Sequence, residues 1–123
     1  MNDLKKILLV EDNPVNRMLI KKILTFHGSE VLEAVNGREG IEKAEKYIPN
    51  LILMDLQLPE INGIEAIKIL KKSAKTKNIP IVAVSANIRE EEKVKAIEAG
   101  CAGFIEKPID SRKFIDNIRS FIS

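Results

Sequence analysis

The sequence predicts an α/β fold: a doubly wound parallel sheet of five strands, each followed by a helix. Three observations predict it. Four short runs, Ile7 to Val10, Leu51 to Met54, Ile81 to Val84 and Gly103 to Ile105, are continuously apolar, which suits strands covered on both faces. Between the runs lie stretches whose apolar residues recur at helical spacing, so strand and helix signals alternate along the chain. Finally, each run stops at chemistry: Glu11-Asp12, Asp55, Ser85, and Glu106-Lys107. The carboxyl ends of strands are where open α/β sheets gather their sites.

Residues 5 to 10 read as the first strand. Asn13-Pro14 supplies an N-cap and a proline at the first helical position, and the helix they open carries Val15, Met18, Leu19, Ile23 and Phe26 at helical spacing before Gly28 ends it. His27 is then a last-turn residue beside the helix dipole. Glu30 to Ala34 makes a second strand, and the Asn36-Gly37 turn leads into a helix with Ile41, Ala44 and Tyr47, closed by Pro49. After the third run, a loop from Pro59 through Gly63 precedes a helix lined by Ile64, Ile67 and Leu70. Lys71, Lys72, Lys75 and Lys77 crowd its end, where cations suit a helix C-terminus and an exposed loop better than a phosphate-rich partner. Pro80 precedes the fourth strand. Arg89 to Ala99 follows as a helix with Glu90, Glu91 and Glu92 at its positive end and Gly100 as its stop. Ala102 to Ile105 is the fifth strand, with Cys101 a small residue at its start. Ile109-Asp110-Ser111 opens a last helix bearing Phe114, Ile115, Ile118, Phe121 and Ile122.

Short connections between alternating elements imply right-handed crossovers, and five units are too few for a barrel. The expected arrangement is flavodoxin-like, with strand order 2-1-3-4-5. In that order strands one and three are neighbours, so Glu11, Asp12 and Asp55 converge at the switch point. The 123 residues fit one domain, 1–123, with no output domain. Net charge is +2 with both signs interspersed, which implies neither a nucleic-acid-binding tail nor an acidic arm. No apolar stretch approaches the roughly 20 residues of a membrane span, and the N-terminus has no signal-peptide core. A lone cysteine fits a reducing compartment, so a cytoplasmic location is expected. With one histidine and one cysteine, metal sites built on imidazole or thiolate are out, and only oxygen ligands remain.

Three carboxylates drawn together in a partly dry crevice must share protons, face a cation, or both. A hard divalent ion is the economical solution, and Mg²⁺ is its natural identity, since it takes carboxylate, carbonyl, water and phosphate oxygens. That points to a phosphoryl group. Ser85 can donate to a phosphate oxygen, and Lys107 supplies a point charge for the same group. A carboxylate oxygen can itself attack phosphorus, and Asp55 is the best-placed nucleophile.

These residues together resemble the response-regulator receiver domain of two-component signalling. The resemblance rests on Glu11-Asp12, on Asp55 with Pro59 and Gly63 after it, on Ser85-Ala86, on Phe104, and on Lys107-Pro108-Ile109, and it covers the whole chain. Glu11-Asp12-Asn13-Pro14-Val15-Asn16 is most similar to receivers of hybrid histidine kinases and of single-domain cell-cycle regulators. The resemblance implies that a phosphohistidine on a histidine kinase or phosphotransfer protein donates to Asp55. It implies Mg²⁺ held by Asp12, Asp55 and the Gln57 backbone carbonyl, with Glu11 acting through water. It implies Ser85 and Lys107 on the new phosphoryl oxygens, a cis Lys107–Pro108 bond, and Phe104 as an aromatic switch that remodels the face of helix four and strand five for a downstream target. Glu11, Ser85 and Phe104 stand where aspartate, threonine and tyrosine are also common in the family, and Gln57 and Asn87 occupy positions that set the phosphoryl lifetime.

A turnover enzyme is not expected: phosphoryl transfer is self-catalysed, followed by slow autodephosphorylation. An Asp-nucleophile phosphohydrolase wants a second acid at position 57, and Gln57 cannot transfer a proton. A flavin or nucleotide binder wants a glycine-rich first turn, where this chain has Glu11-Asp12-Asn13-Pro14. A phosphorylation-independent protein-binding module has no need of the full set of acids, serine and lysine. Met1 close to the first strand favours a stand-alone chain, and a monomer or weak dimer fits the mixed charge of the fourth helix.

Overall fold

The computed structural model describes residues 5–86 and 89–122; Met1 and Asn87, each carrying an expectation above, lie outside the described residues. The elements are β1 (Lys6–Val10), α1 (Pro14–Phe26), β2 (Glu30–Ala34), α2 (Gly37–Tyr47), β3 (Leu51–Asp55), α3 (Gly63–Lys72), β4 (Ile81–Ser85), α4 (Glu90–Ala99), β5 (Gly103–Glu106) and α5 (Ser111–Ile122). The strands form one parallel sheet in the order β2-β1-β3-β4-β5. Alternation along each strand sends side chains to two cores. Leu8, Val10, Ile52, Met54 and Ala83 meet Ala44, Ala66, Ile67, Leu70 and Ala96 of α2, α3 and α4. Ile7, Leu9, Leu53, Val82 and Val84 meet Ile20, Leu24, Phe114, Ile115 and Ile118 of α1 and α5. Among the described residues no helix is long and apolar enough to cross a membrane.

Local signals fix the helix ends. Asn13 accepts from the N–H groups of Val15 and Asn16, Asn36 from Glu39, Asn62 from Glu65, and Asp110 from Arg112 and Lys113. His27 is the C-cap of α1, and Gly28 turns the chain away at φ +93°, a conformation that costs glycine little. Within the lysine cluster, Lys71 donates to the carbonyls of Lys77 and Ile79, tying down the loop after α3. Cys101 is half-buried against the core just before β5, and burial pushes its thiol up, which fits an inert small residue.

Strand bounds shift slightly from the expectation: the first strand begins at Lys6 rather than Lys5, the third and fourth take in Asp55 and Ser85, and the fifth begins at Gly103 and includes Glu106. In α1 the stripe Val15, Met18, Leu19, Phe26 faces solvent, at 68%, 54%, 45% and 85% exposure, while Ile20 and Leu24 enter the core with Ile23 packed beside them. This helix carries two apolar faces, and the sheet takes only one of them.

Candidate functional site

The site is built at the carboxyl edge of the sheet, where backbone hydrogen bonds extend the strand pairing past the strand ends. Glu11 N–H donates to Ala34 O at 3.0 Å, Leu56 N–H to Val84 O at 3.1 Å, and Lys107 N–H to Ser85 O at 2.9 Å. These bonds fix the tips of β1, β3 and β5 against their neighbours. The side chains projecting there therefore start from rigid positions.

Glu11, Asp12 and Asp55 bring one carboxylate oxygen each to within 4.8 Å of the others. Glu11 and Asp55 are buried and Asp12 is exposed, so the cluster opens to solvent on the Asp12 side. Lys107 enters from beyond β5, with Nζ 2.9 Å from Glu11 Oε1 and 3.5 Å from Asp55 Oδ2. Two backbone amides also serve the acids: Asn13 N–H donates to Glu11 Oε2 at 3.2 Å, and Gln57 N–H to Asp55 Oδ1 at 3.0 Å. Glu11 Oε1 is buried, and its partner among the described residues is the Lys107 ammonium 2.9 Å away.

Burial pushes the Glu11 carboxyl up, as does its neighbour Asp55; the bond with Lys107 opposes them without cancelling them. Burial would lower the Lys107 ammonium, but its bond to Glu11 and the charge of Asp55 outweigh that and hold it above the usual lysine range. The acids are thus crowded beyond what one lysine neutralises, leaving room for a further cation.

Ser85 is buried at the end of β4, its Oγ donating to Ala86 O at 3.1 Å. Gln57 Nε2 donates to the same carbonyl at 3.4 Å, linking the loops after β3 and β4. Phe104, registered with Ala83 across β4 and β5, is half-buried against the core of α2, α3 and α4. The Lys107–Pro108 bond is cis. His27 sits at the other end of α1 from the acids, and Cys101 stands before β5, so neither joins the cluster.

Sequence reasoning missed Arg17 and Glu33. Arg17 Nη1 donates to the carbonyls of Glu11 at 2.9 Å and Asp12 at 3.4 Å, while its Nε lies 3.4 Å from Glu33 Oε1. A signal existed: a cation near a helix N-terminus opposes the dipole and needs a local partner.

A family profile described as the response regulator receiver domain matches residues 7–119. The polar-differentiation response regulator DivK of Brucella anthropi is 36% identical over 118 residues, covering 96% of each chain. Among solved structures, the chemotaxis protein CheY4 of Vibrio cholerae superposes with a TM-score of 0.92 at 26% identity, over 96% of this chain and 98% of that one. The receiver domain of the sensor histidine kinase PA1611 of Pseudomonas aeruginosa, solved with a magnesium ion coordinated in its active site cleft, gives 0.90 at 30% identity, over 96% and 97%.

Proposed function

Because this chain belongs to the response regulator receiver family, we propose that Asp55 is the phosphoacceptor of a signalling switch charged by a phosphohistidine on a histidine kinase or phosphotransfer protein. The observation that carries this reading is the convergence of Glu11, Asp12 and Asp55 within 4.8 Å, with one lysine reaching both buried acids.

The donor set fits Mg²⁺: it is all oxygen, and among the described residues one lysine is the only cation that reaches the two buried acids. Asp12, Asp55 and the Gln57 backbone carbonyl would hold the ion, with Glu11 reaching it through water. When bound, Mg²⁺ offsets the negative charge that gathers as phosphoryl oxygens approach the acids.

The chain's own groups do the rest. The Gln57 N–H holds Asp55 Oδ1, leaving the other carboxylate oxygen to attack. An Asp55 oxygen forms a bond to phosphorus as the phosphorus–nitrogen bond breaks, and the electron pair leaves on the imidazole, which takes up a proton. Lys107, already 3.5 Å from Asp55 Oδ2, neutralises the transferred group. Ser85 Oγ turns from Ala86 O to a phosphoryl oxygen, and Phe104 moves toward the space this opens. The face of α4 and β5, where Val94 and Ile97 are exposed, then presents a changed surface to a target protein. Gln57 supplies no proton to a leaving group or a water, so Asp55 holds its phosphate rather than turning it over.

The outward stripe of α1 favours the docking side. Val15, Met18 and Leu19 begin one turn from Asp12 and form an exposed apolar strip beside Lys22, in a helix without an acid, while Arg17 and Lys21 turn to Glu33. A helical partner with an apolar seam and acidic margins fits it, and would bring its histidine over Asp55.

The test is incubation with a small phosphodonor and Mg²⁺, read by intact mass. The wild type gains one phosphoryl group and Asp55→Ala gains none. No gain in the wild type, or an equal gain in the variant, refutes the assignment.

A further inference from the structure

The turn that carries Glu11 and Asp12 is held by a side chain that touches neither carboxylate. Arg17 lies four residues past the N-cap Asn13 and reaches back over the turn, donating from Nη1 to both the Glu11 and Asp12 carbonyls. Its Nε faces the other way, toward Glu33 Oε1 on the edge strand β2 at 3.4 Å. Glu33 is itself held from α1 by Lys21 Nζ, 2.8 Å from Oε2, one helical turn after Arg17. Glu33 is paired in register with Leu9, whose side chain lies in the core beneath α1 and α5, so the carboxylate stands on the side of the sheet that α1 covers. The Lys21 bond, opposed by burial and aided by Arg17, holds the Glu33 carboxyl below the usual range, so it stays ionised at neutral pH.

We infer that Arg17 is a positioning residue: by tying the Glu11 and Asp12 carbonyls to Glu33, it fixes the turn from which the exposed Asp12 carboxylate is aimed at its cation. The Asp12 carboxylate accepts no hydrogen bond from the described residues, so its direction is set by the backbone beneath it, whose carbonyl Arg17 holds. Two carbonyls held by one guanidinium restrict that backbone. Arginine suits the role because its N–H groups diverge in a rigid plane and serve the turn and Glu33 at once; one ammonium cannot. The inference rests on the proposed Mg²⁺ site, and it assigns the ion's affinity in part to a residue outside the ligand set.

The experiment is Mg²⁺ titration of the metal-free protein, followed by backbone amide chemical shifts, for wild type, Arg17→Ala, Arg17→Lys and Glu33→Gln. Phosphorylation by a small phosphodonor is measured in parallel at limiting and saturating Mg²⁺. Removing an outer partner of this kind weakens Mg²⁺ binding by about tenfold. Arg17→Ala should show that loss, with the rate falling to match at limiting Mg²⁺ and recovering at saturation. Arg17→Lys should recover only part of the affinity, and Glu33→Gln should lose a smaller part while the ligands and the guanidinium stay. A purely structural role predicts a lower melting point with unchanged Mg²⁺ affinity, which overturns the inference. Full recovery in Arg17→Lys also overturns it, because charge alone would then suffice. Should Arg17→Ala fail to fold, Glu33→Gln with wild-type affinity does so as well. A wild type that takes up no Mg²⁺ overturns the site reading and the inference together, whereas equal binding by wild type and variants overturns the inference alone.

Discussion

Gly63 is the position where one methyl group tests the coupling between the fold and Asp55. It is the first residue of α3, and its N–H donates to Leu56 O at 3.2 Å, so the helix starts directly beneath the end of β3. A Cβ there would collide with the Asp55 carbonyl oxygen and lie 2.6 Å from Leu56 Cα, both backbone atoms that cannot rotate away. Ordinary contact requires α3 and the tip of β3 to separate by about 1 Å, and overpacking of this kind costs about 1–3 kcal/mol. A displacement of about 1 Å at a reacting group lowers a rate by about a hundredfold. Gly63→Ala should therefore lose about 2 kcal/mol in urea denaturation and slow phosphorylation by a small donor by at least about tenfold at saturating Mg²⁺. The two readouts belong together, because the same contact causes both. A variant within about 0.5 kcal/mol of wild type and phosphorylated at the same rate refutes the claim that this contact holds Asp55 in place.

Further outcomes follow from the charges and the outward face of α1. Lys107→Met removes the cation beside two buried carboxylates, so stability should fall by about 1–3 kcal/mol at about pH 8, less than for a fully buried pair because Lys107 keeps some exposure. The deficit should shrink as the pH falls and Glu11 protonates, and equal deficits in urea melts at the alkaline and the acid pH contradict this. For Glu11 the folded carboxyl is raised, mainly by burial, so its contribution is fully favourable below the unfolded value of 4.5 and is lost as pH rises through the folded one. Glu11→Gln should accordingly raise the melting point of the metal-free protein at neutral pH, with the gain fading in acid, and reduce the stabilisation that Mg²⁺ gives. A lower melting point at neutral pH refutes the sign. Val15→Glu with Leu19→Glu, both on the exposed stripe, should change stability by less than about 1 kcal/mol and leave labelling by a small phosphodonor intact. It should strongly slow transfer from a phosphohistidine protein that labels the wild type; an unchanged transfer rate removes α1 from the docking surface.

How much of this was legible in the sequence differs by residue, for physical reasons. The strand order and the meeting of Glu11, Asp12 and Asp55 could be read because they depend on element order and on where each apolar run stops, both local properties of the chain. The α1 face could not. Apolar residues at helical spacing establish that a stripe exists, but Val15, Met18, Leu19 and Phe26 make as regular a stripe as Ile20, Ile23 and Leu24, and only packing on the sheet and α5 decides which is buried. Arg17 is the converse case. Its partners are two backbone carbonyls and a carboxylate on another strand, and carbonyls are the same in every sequence, so spacing holds no record of them. What the sequence does hold is a cation where the helix dipole disfavours one, in a helix without an acid to pair with it. The α1 stripe breaks a similar rule, with large apolar groups left in solvent. Both departures lie on the one helix that starts at the acid cluster. The residues of α1 that oppose local preference are accordingly the ones on which the docking and positioning proposals rest.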